Sequence, residues 1–290
     1  MVTIFTPTYN RADLLPRLYK SLLAQTSKNF EWLIVDDGSI DDTERVVKEM
    51  EKEGLFPVRY IKKANGGKHT AINVGVNHAK GELFFIVDSD DYLTEDAVEW
   101  IESQFDAVRD NEEIAGIVGQ RIYPDGRVNG QENIDGYIDV DTITFRYRMN
   151  GSGDHAEVFR TSVLKQYPFP EVEGERFVAE SLVWHRIATR YKLRYMAHPI
   201  YVCEYLADGL TSNILRHWIR SPRLSMIAAL QTASFGVVPM KQRFKAISNY
   251  WRYFFFSDVA FVDSVKKAGV GSVFFLPVGY CLYLRSRKLK

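Results

Sequence analysis

Three carboxylates follow a short apolar run in the first half of the chain. Residues 83–87 are Leu-Phe-Phe-Ile-Val, and Asp88, Asp90 and Asp91 come directly after them. A continuous apolar run of this kind is typical of a strand that is buried on both faces. Crowded carboxylates repel one another unless a cation joins them, and Mg²⁺ or Mn²⁺ is commonly held by carboxylates together with substrate phosphates. The pattern therefore indicates either a metal–diphosphate site or an acidic turn that caps the next helix.

The composition is that of an ordinary globular protein of 290 residues, 46% hydrophobic and 26% charged, with room for one large or two small domains. Lys plus Arg and Asp plus Glu both number 37, so the basic excess of a nucleic-acid binder is missing. Cys203 and Cys281 lie far apart, which argues against a disulfide framework and favours a reducing compartment. Because the chain begins directly with a strand pattern, we expect a cytoplasmic protein without a signal peptide.

Strand and helix patterns alternate along the first part of the chain. Apolar runs predict strands at residues 2–6, 30–35, 58–61 and 83–87. The segments between them have helical spacing and short loops, which predicts βαβ units and a mainly parallel, Rossmann-like α/β sheet flanked by helices. We expect this domain to comprise residues 1–213, and a helical, aromatic-rich region to comprise residues 214–290.

Polar loops follow the predicted strands at the edge where sheets of this type bind their ligands. They are residues 7–10, residues 36–39 and residues 88–91. Within the second loop, Asp37 is placed to accept hydrogen bonds from a ribose or a base, although a turn with a helix cap has the same composition.

A glycine-rich turn, residues 65–68, opens another predicted helix. Gly66 and Gly67 expose backbone N–H groups and Lys68 adds a positive charge, which suits a nucleotide or its diphosphate. A flexible turn with a surface lysine explains the same residues. The turn is not a P-loop, because Lys62 stands where that motif needs its first glycine, and no G-x-G-x-x-G follows the first strand.

Together these segments resemble glycosyltransferase family 2, through the order and spacing of residues 7–11, 25–26, 30–43, 65–67 and 88–91. The resemblance implies a GT-A type fold, an inverting reaction, a nucleotide-sugar donor with UDP expected, a Mg²⁺ or Mn²⁺ ion and a hydroxyl acceptor. It further implies that Thr8 and Asp37 hold the nucleoside, and that Asp88 and Asp90 form the D-x-D pair with Asp90 as metal ligand. The donor-binding candidates are Pro7, Thr8, Tyr9, Asn10, Asp37, Asn65, Gly66, Gly67, Lys68, Asp88 and Ser89.

Inverting transfer needs a carboxylate that takes the proton of the acceptor hydroxyl. A helix is predicted over residues 178–191 with Glu180 in its first turn. Family 2 enzymes often carry Glu-Asp here, so the resemblance makes Glu180 the first candidate for the base, although a glutamate also stabilises a helix N-terminus. Asp154, in a polar glycine-rich turn, is the second candidate. His155 beside it is interpreted as a ligand of the donor sugar or as a structural histidine.

The last part of the chain is apolar, aromatic and basic. Residues 270–284 are short for a membrane span and contain Pro277 and Gly279. The basic residues that follow suit a helix at a membrane surface, while a helical core element or a dimer contact is equally consistent. Residues 208–212 are interpreted as a lid over the diphosphate or as an ordinary loop.

We therefore expect a glycosyltransferase that acts on a saccharide or lipid-linked saccharide acceptor in cell-envelope or exopolysaccharide assembly, with peripheral attachment to the inner face of the membrane left open. A nucleotidyltransferase uses a similar sheet with acidic metal ligands, but it needs a signature loop rich in glycine and basic residues after the first strand, which residues 7–10 do not provide. A non-catalytic nucleotide-sugar sensor or scaffold is the other alternative, against which the set of Asp88, Asp90 and Glu180 argues.

Overall fold

The computed structural model describes residues 1–130, 134–204 and 213–289, so residues 208–212, interpreted as a lid or loop, lie outside it. The chain divides into two compact units. The first comprises Met1–Arg146, Asn150–Phe169 and Val183–Glu204. The second comprises Tyr147–Met149, Pro170–Leu182 and the described part of Tyr205–Lys290. The division into residues 1–213 and 214–290 stays a prediction.

The strands of the first unit form one mixed sheet. They are β1 (Val2–Thr8), β2 (Phe30–Asp36), β3 (Val58–Lys62), β4 (Leu83–Ile86), β5 (Tyr92–Leu93), β6 (Ile114–Ile122), β7 (Tyr137–Val140), β8 (His155–Arg160) and β9 (Lys192–Val202). Their order in the sheet is β3-β2-β1-β4-β8-β6-β9-β5, with β7 beside β9. β1 to β4 run parallel, and β8 is antiparallel to both β4 and β6. The predicted parallel βαβ half is therefore present, and a mixed half extends it.

Helices connect and flank these strands. They are α1 (Leu15–Leu23), α2 (Thr43–Glu53), α3 (Lys68–His78), α4 (Ala97–Asp106), α5 (Thr142–Arg148), α6 (Thr161–Leu164), α7 (Ser181–Ile187), α8 (Ile214–Arg220), α9 (Pro222–Ser234), α10 (Met240–Phe254), α11 (Phe261–Ala268) and α12 (Leu276–Ser286), with 3-10 helices at Val270–Phe275 and Arg287–Leu289. The helix predicted over residues 178–191 is shorter than expected. Val178 is buried although it precedes the helix, which explains why its spacing resembles helical periodicity. Glu180 lies just before α7 rather than in its first turn.

The core of the first unit fixes the position of α3, which begins at Lys68. β1 and β4 are buried along their whole length. α3 approaches β1 closely at Gly75, where an added Cβ would lie 2.2 Å from Cε2 of Phe5. The Phe5 ring in turn stacks on Phe84, with the ring centroids 4.9 Å apart. Because this contact leaves no room for a side chain at Gly75, the start of α3 is held at a fixed place above the sheet.

The second unit is helical, with Tyr250 and Trp251 in its core. Glu175 caps α9, since its carboxylate accepts hydrogen bonds from the amides of Arg223 at 2.8 Å and Leu224 at 2.7 Å. In the described part of the chain, no helix by itself has the length and hydropathy needed to cross a membrane. Among the described residues, one pair of helical segments satisfies these criteria when taken together: Phe261–Ala268 and Val270–Leu289, which are bent by 112°.

Candidate active site

The loops that follow β1 and β2 are joined at the carboxyl edge of the sheet. Thr8 is paired with Asp36 across the two strands. Beyond this pair, the Asp37 amide donates a hydrogen bond to the Thr8 carbonyl at 2.8 Å, and the Asn10 amide donates to Ser39 Oγ at 2.8 Å. The structure thus brings together the first two loops that the sequence predicted to meet.

Asp37 closes the glycine-rich turn that precedes α3. Its buried carboxylate accepts hydrogen bonds from Lys63 Nζ at 2.8 Å and from the amides of Gly66 at 2.9 Å and Gly67 at 2.7 Å. Gly67 has a φ of 98°, which glycine adopts without strain. Both amides that the sequence analysis assigned to a phosphate therefore donate to Asp37 in this structure. The contact of Asp37 with a nucleoside stays a prediction.

The other donor-binding candidates surround this edge. Thr8 is buried, and its hydroxyl oxygen has no hydrogen-bond partner within the described residues. Ser89 is buried, Asn65 is half-buried and Tyr9 is exposed. Asn10 has a φ of 51°, and its side-chain oxygen accepts a hydrogen bond from the amide of Ile40, so it orders the second loop. Pro7 is a buried residue of β1.

Asp91 anchors the acidic loop through β9. Tyr201 donates its hydroxyl hydrogen to Asp91 Oδ2 at 2.6 Å and accepts the Asp88 amide hydrogen at 3.0 Å. The Glu204 amide donates to Asp91 Oδ1 at 3.1 Å. Burial, followed by the charge of Asp88, raises the pKa of Asp91 to about 7. With both oxygens engaged by protein groups, Asp91 holds the loop in shape and leaves Asp88 and Asp90 as the candidate metal ligands.

The charges around Asp88 and Asp90 differ. Burial raises the pKa of Asp88, but the Lys68 ammonium, 2.6 Å away, and the Arg121 guanidinium outweigh it, so that the pKa of Asp88 lies below its usual value. For Asp90, burial and the charge of Asp88 raise the pKa above its usual value. Asp90 is therefore a carboxylate whose ionised form gains from an added cation.

Two arginines that were not among the predicted site residues act on this pair. Burial raises the pKa of Asp88, and the charges of Arg121 and Arg11 lower it together with that of Lys68. Arg121 donates through Nε to the His155 carbonyl at 2.7 Å and lies over the Tyr201 ring, 4.2 Å from its centroid. The sequence contains a signal for Arg121, because residues 114–120 have the composition of a further strand and Arg121 comes directly after them.

The candidate bases lie in different units. β8 is antiparallel to β4, so its first residue, His155, is at the same edge as Asp88, and Asp154, which is exposed, directly precedes it. His155 is buried against Phe145, with ring centroids 5.3 Å apart, which favours the structural interpretation of this histidine. Glu180 belongs to the second unit, and its role as the base stays a prediction.

Asp88 and Asp90 have the chemistry of a site for a hard divalent cation. Both offer carboxylate oxygens, and the pKa of Asp90 is raised first by burial and then by the negative charge of Asp88, which a cation would compensate. Across the described ranges, no group of three or more His, Cys, Asp and Glu side chains is arranged to hold a metal ion. Two carboxylates are within the number that a Mg²⁺ site commonly takes from a protein.

The family model for glycosyl transferase family 2 matches residues 3–169. The chain belongs to this family. The family and the GT-A type fold expected from the sequence are thereby confirmed. Over 106 residues, this chain is 42% identical to chondroitin synthase of Pasteurella multocida, and the matched segment covers 36% of this chain and 11% of that protein. The chain spans only 11–16% of the length of five curated relatives, this synthase among them.

Solved structures of low sequence identity share the family 2 fold. S. aureus TarS 1-349 in complex with UDP-GlcNAc has a TM-score of 0.65 at 17% identity, and the similarity covers 98% of this chain and 88% of TarS 1-349. The mannosyltransferase PcManGT from Pyrobaculum calidifontis, in complex with GDP-Man and Mn²⁺, has a TM-score of 0.56 at 17% identity, covering 99% of this chain and 75% of that protein. At these identities the similarity concerns the fold alone.

Proposed function

We propose that this protein is an inverting glycosyltransferase that transfers a sugar from a UDP-sugar to an acceptor hydroxyl. The observation that carries the proposal is the pair Asp88 and Asp90 beside Lys68, at the sheet edge where the family 2 loops meet. A carboxylate pair suits a divalent cation, and an ammonium group at the start of α3 suits a diphosphate. A departing nucleoside diphosphate is anionic, so the positive charge of Lys68 and of a cation held by the two carboxylates would stabilise it.

The donor is assigned to the loops after β1 and β2. The Thr8 hydroxyl supports this assignment, because buried hydroxyl groups are usually hydrogen-bonded and this one lacks a partner among the described residues. Asp37 and the turn at Gly66 and Gly67 would border the same space. UDP is proposed as the nucleotide because TarS, which is similar in fold, was crystallised in complex with UDP-GlcNAc.

Asp90, together with Asp88, would hold the Mg²⁺ or Mn²⁺ ion. When bound, such an ion neutralises charge on the leaving diphosphate. PcManGT, whose structure contains Mn²⁺, supports the choice of metal. Lys68 and Arg121 add positive charge beside Asp88, where they would attract phosphate oxygens.

A carboxylate then removes the proton of the acceptor hydroxyl as that oxygen forms the new glycosidic bond and the diphosphate leaves. Glu180 is supported by the resemblance to family 2, although Ser181 stands where the family often has Asp. Asp154 is supported by its exposure at the edge shared by β4 and β8. A saccharide or lipid-linked saccharide is the proposed acceptor, in cell-envelope or exopolysaccharide assembly, in keeping with the chondroitin synthase and hyaluronan synthase relatives.

The test measures UDP released from UDP-sugars, with and without saccharide acceptors, in Mn²⁺ and in EDTA. We expect release that requires the metal and is lost in Asp90→Ala, while the ligand-free melting temperature is retained. Asp110→Ala, which removes an exposed carboxylate elsewhere in the first unit, is the matched control and should keep parental release. Release by Asp90→Ala at the parental rate would refute the metal assignment, and tight UDP binding without turnover on any donor would indicate a sensor.

A further inference from the structure

One side of the segment that contains Val270–Phe275 and α12 is fixed to α10. The Trp251 indole nitrogen donates a hydrogen bond to the Ser272 carbonyl at 2.7 Å. α12 crosses α10 so closely at Gly279 that an added Cβ would lie 2.4 Å from Cβ of Trp251. Arg252 donates through Nε to Ser286 Oγ at 3.0 Å. These contacts run from one end of the segment to the other and determine which side faces α10.

The opposite side of the segment presents apolar residues to solvent. Val270, Phe274 and Val278, which we call the apolar stripe, are 79%, 87% and 50% exposed. Phe274 and Val278 are four residues apart and the exposed Cys281 follows three residues later, a spacing that places them along one side where the 3-10 helix continues into α12, whereas Val270 lies at the start of the 3-10 helix. The side that packs on α10 is already occupied, and among the described residues of this unit the apolar stripe is not part of the hydrophobic core. An isolated exposed phenylalanine is ordinary, but a row of large apolar residues marks a binding surface.

Basic side chains flank the apolar stripe at both ends. Lys266 and Lys267 precede it, Arg285, Arg287 and Lys288 follow it, and all of them are exposed. Within the described ranges, no carboxylate forms an ion pair with any of these basic residues. Residues 261–290 contain six Lys or Arg and one Asp, whereas the chain as a whole is neutral. Positive charge is thus concentrated around the stripe.

We propose that the apolar stripe and its basic flanks bind the surface of a bilayer that contains anionic lipids. Apolar side chains that enter the headgroup region and basic side chains that meet lipid phosphates are the components of an interfacial helix. The bend of 112° before the segment also suits a segment that lies in the membrane plane rather than one that crosses it. A second copy of the chain fits less well, because pairing stripe to stripe would bring two sets of basic flanks together.

Co-sedimentation tests the proposal with vesicles of phosphatidylcholine alone and of phosphatidylcholine with phosphatidylglycerol. We expect binding only to the anionic vesicles, weakened by high salt. Phe274→Glu should weaken it by about tenfold or more, since it removes an inserted ring and adds a repelled charge. Leu55→Glu, at a residue 60% exposed in the first unit, is the matched control and should bind as the parent does. The double variant Lys266→Gln/Lys267→Gln keeps the stripe and should lose part of the anionic preference.

A thiol probe gives an independent measurement. Cys281 is exposed and Cys203 is buried, so an environment-sensitive fluorophore should label Cys281 selectively in the folded protein. Its emission should shift to the blue when anionic vesicles are added, and a label at Leu55→Cys in a Cys281→Ser background should not shift. Equal binding by the parent and Phe274→Glu, or an unshifted Cys281 label, would overturn the proposal. So would self-association that Phe274→Glu abolishes in the absence of any vesicle binding.

Discussion

Asp37→Asn separates two roles that this carboxylate has been given. The sequence assigns Asp37 to the nucleoside, whereas the structure shows it bonded to Lys63, Gly66 and Gly67. If Asp37 only contacted the donor, its replacement would weaken donor binding and leave the ligand-free protein as stable as before. If it holds the glycine-rich turn, the same replacement lowers stability even without a ligand.

The expected loss in the free energy of unfolding follows from the hydrogen bonds that asparagine cannot form. Asparagine has the shape of aspartate but offers one accepting oxygen and no charge. Either the Gly67 amide, or the Gly66 amide together with Lys63, therefore faces an amide nitrogen instead. Hydrogen bonds to charged groups contribute about 1.5–3 kcal/mol each, and a buried donor left without an acceptor adds to the loss. Because Asp37 is buried, we expect a loss of about 3 kcal/mol in the free energy of unfolding. For a domain of this size that lowers the melting temperature by roughly 6–12 °C.

Thermal unfolding without ligand, followed by calorimetric titration with UDP and Mn²⁺, distinguishes the two roles. Asp42→Asn is the control, since Asp42 is exposed and paired with the exposed Arg45, and its replacement should change stability by at most about 0.5 kcal/mol. We expect Asp37→Asn to lower both the melting temperature and the affinity for UDP. A ligand-free melting temperature within about 2 °C of the parent would refute the assignment of Asp37 as the residue that holds the turn.

Two further predictions concern the base and the pH dependence of stability. General-base assistance contributes ~10²–10⁴-fold, so Glu180→Gln should lower kcat by about that factor and leave the UDP affinity within a few-fold of the parent. Full turnover in Glu180→Gln together with its loss in Asp154→Asn would instead assign the base to Asp154. Burial lowers the pKa of His185 to about 4 from its ordinary value of 6.5, so the folded protein keeps this histidine neutral while the unfolded chain takes up a proton. The contribution of the neutral His185 to the free energy of unfolding is fully present above pH 6.5. It is lost as the pH falls towards 4, by about 3 kcal/mol in total. Between pH 7.5 and 4.5, urea unfolding should show a smaller loss in the free energy of unfolding for His185→Leu than for the parent. Equal losses in the two proteins would contradict this prediction.

The sequence by itself determined the elements and the residues that follow them. Alternating apolar runs and helical spacing predicted the parallel strands β1 to β4, because burial on both faces requires continuous apolar sequence. The same pattern placed Asp88 and Asp90 at a strand end, and Gly66 and Gly67 predicted the start of α3, which begins at Lys68. These features are local, so the residues that define them are neighbours in the sequence.

The tertiary structure decided which partners these residues meet. Tyr201 donates a hydrogen bond to Asp91, and the positive charge of Arg121 lowers the pKa of Asp88. Asp37 accepts a hydrogen bond from Gly67, in the glycine-rich turn that precedes α3. The hydrogen bonds of Asp37 with Gly67 and of Asp91 with Tyr201 join residues that are 30 and 110 positions apart in the sequence. Periodicity and spacing describe a residue's own element, whereas hydrogen bonding and burial depend on which element packs beside it. The sequence therefore predicted the acidic residues at the end of β4. Only the assembly of β8, β6 and β9 beyond β4 in the same sheet determined which charges and hydrogen-bond donors surround them.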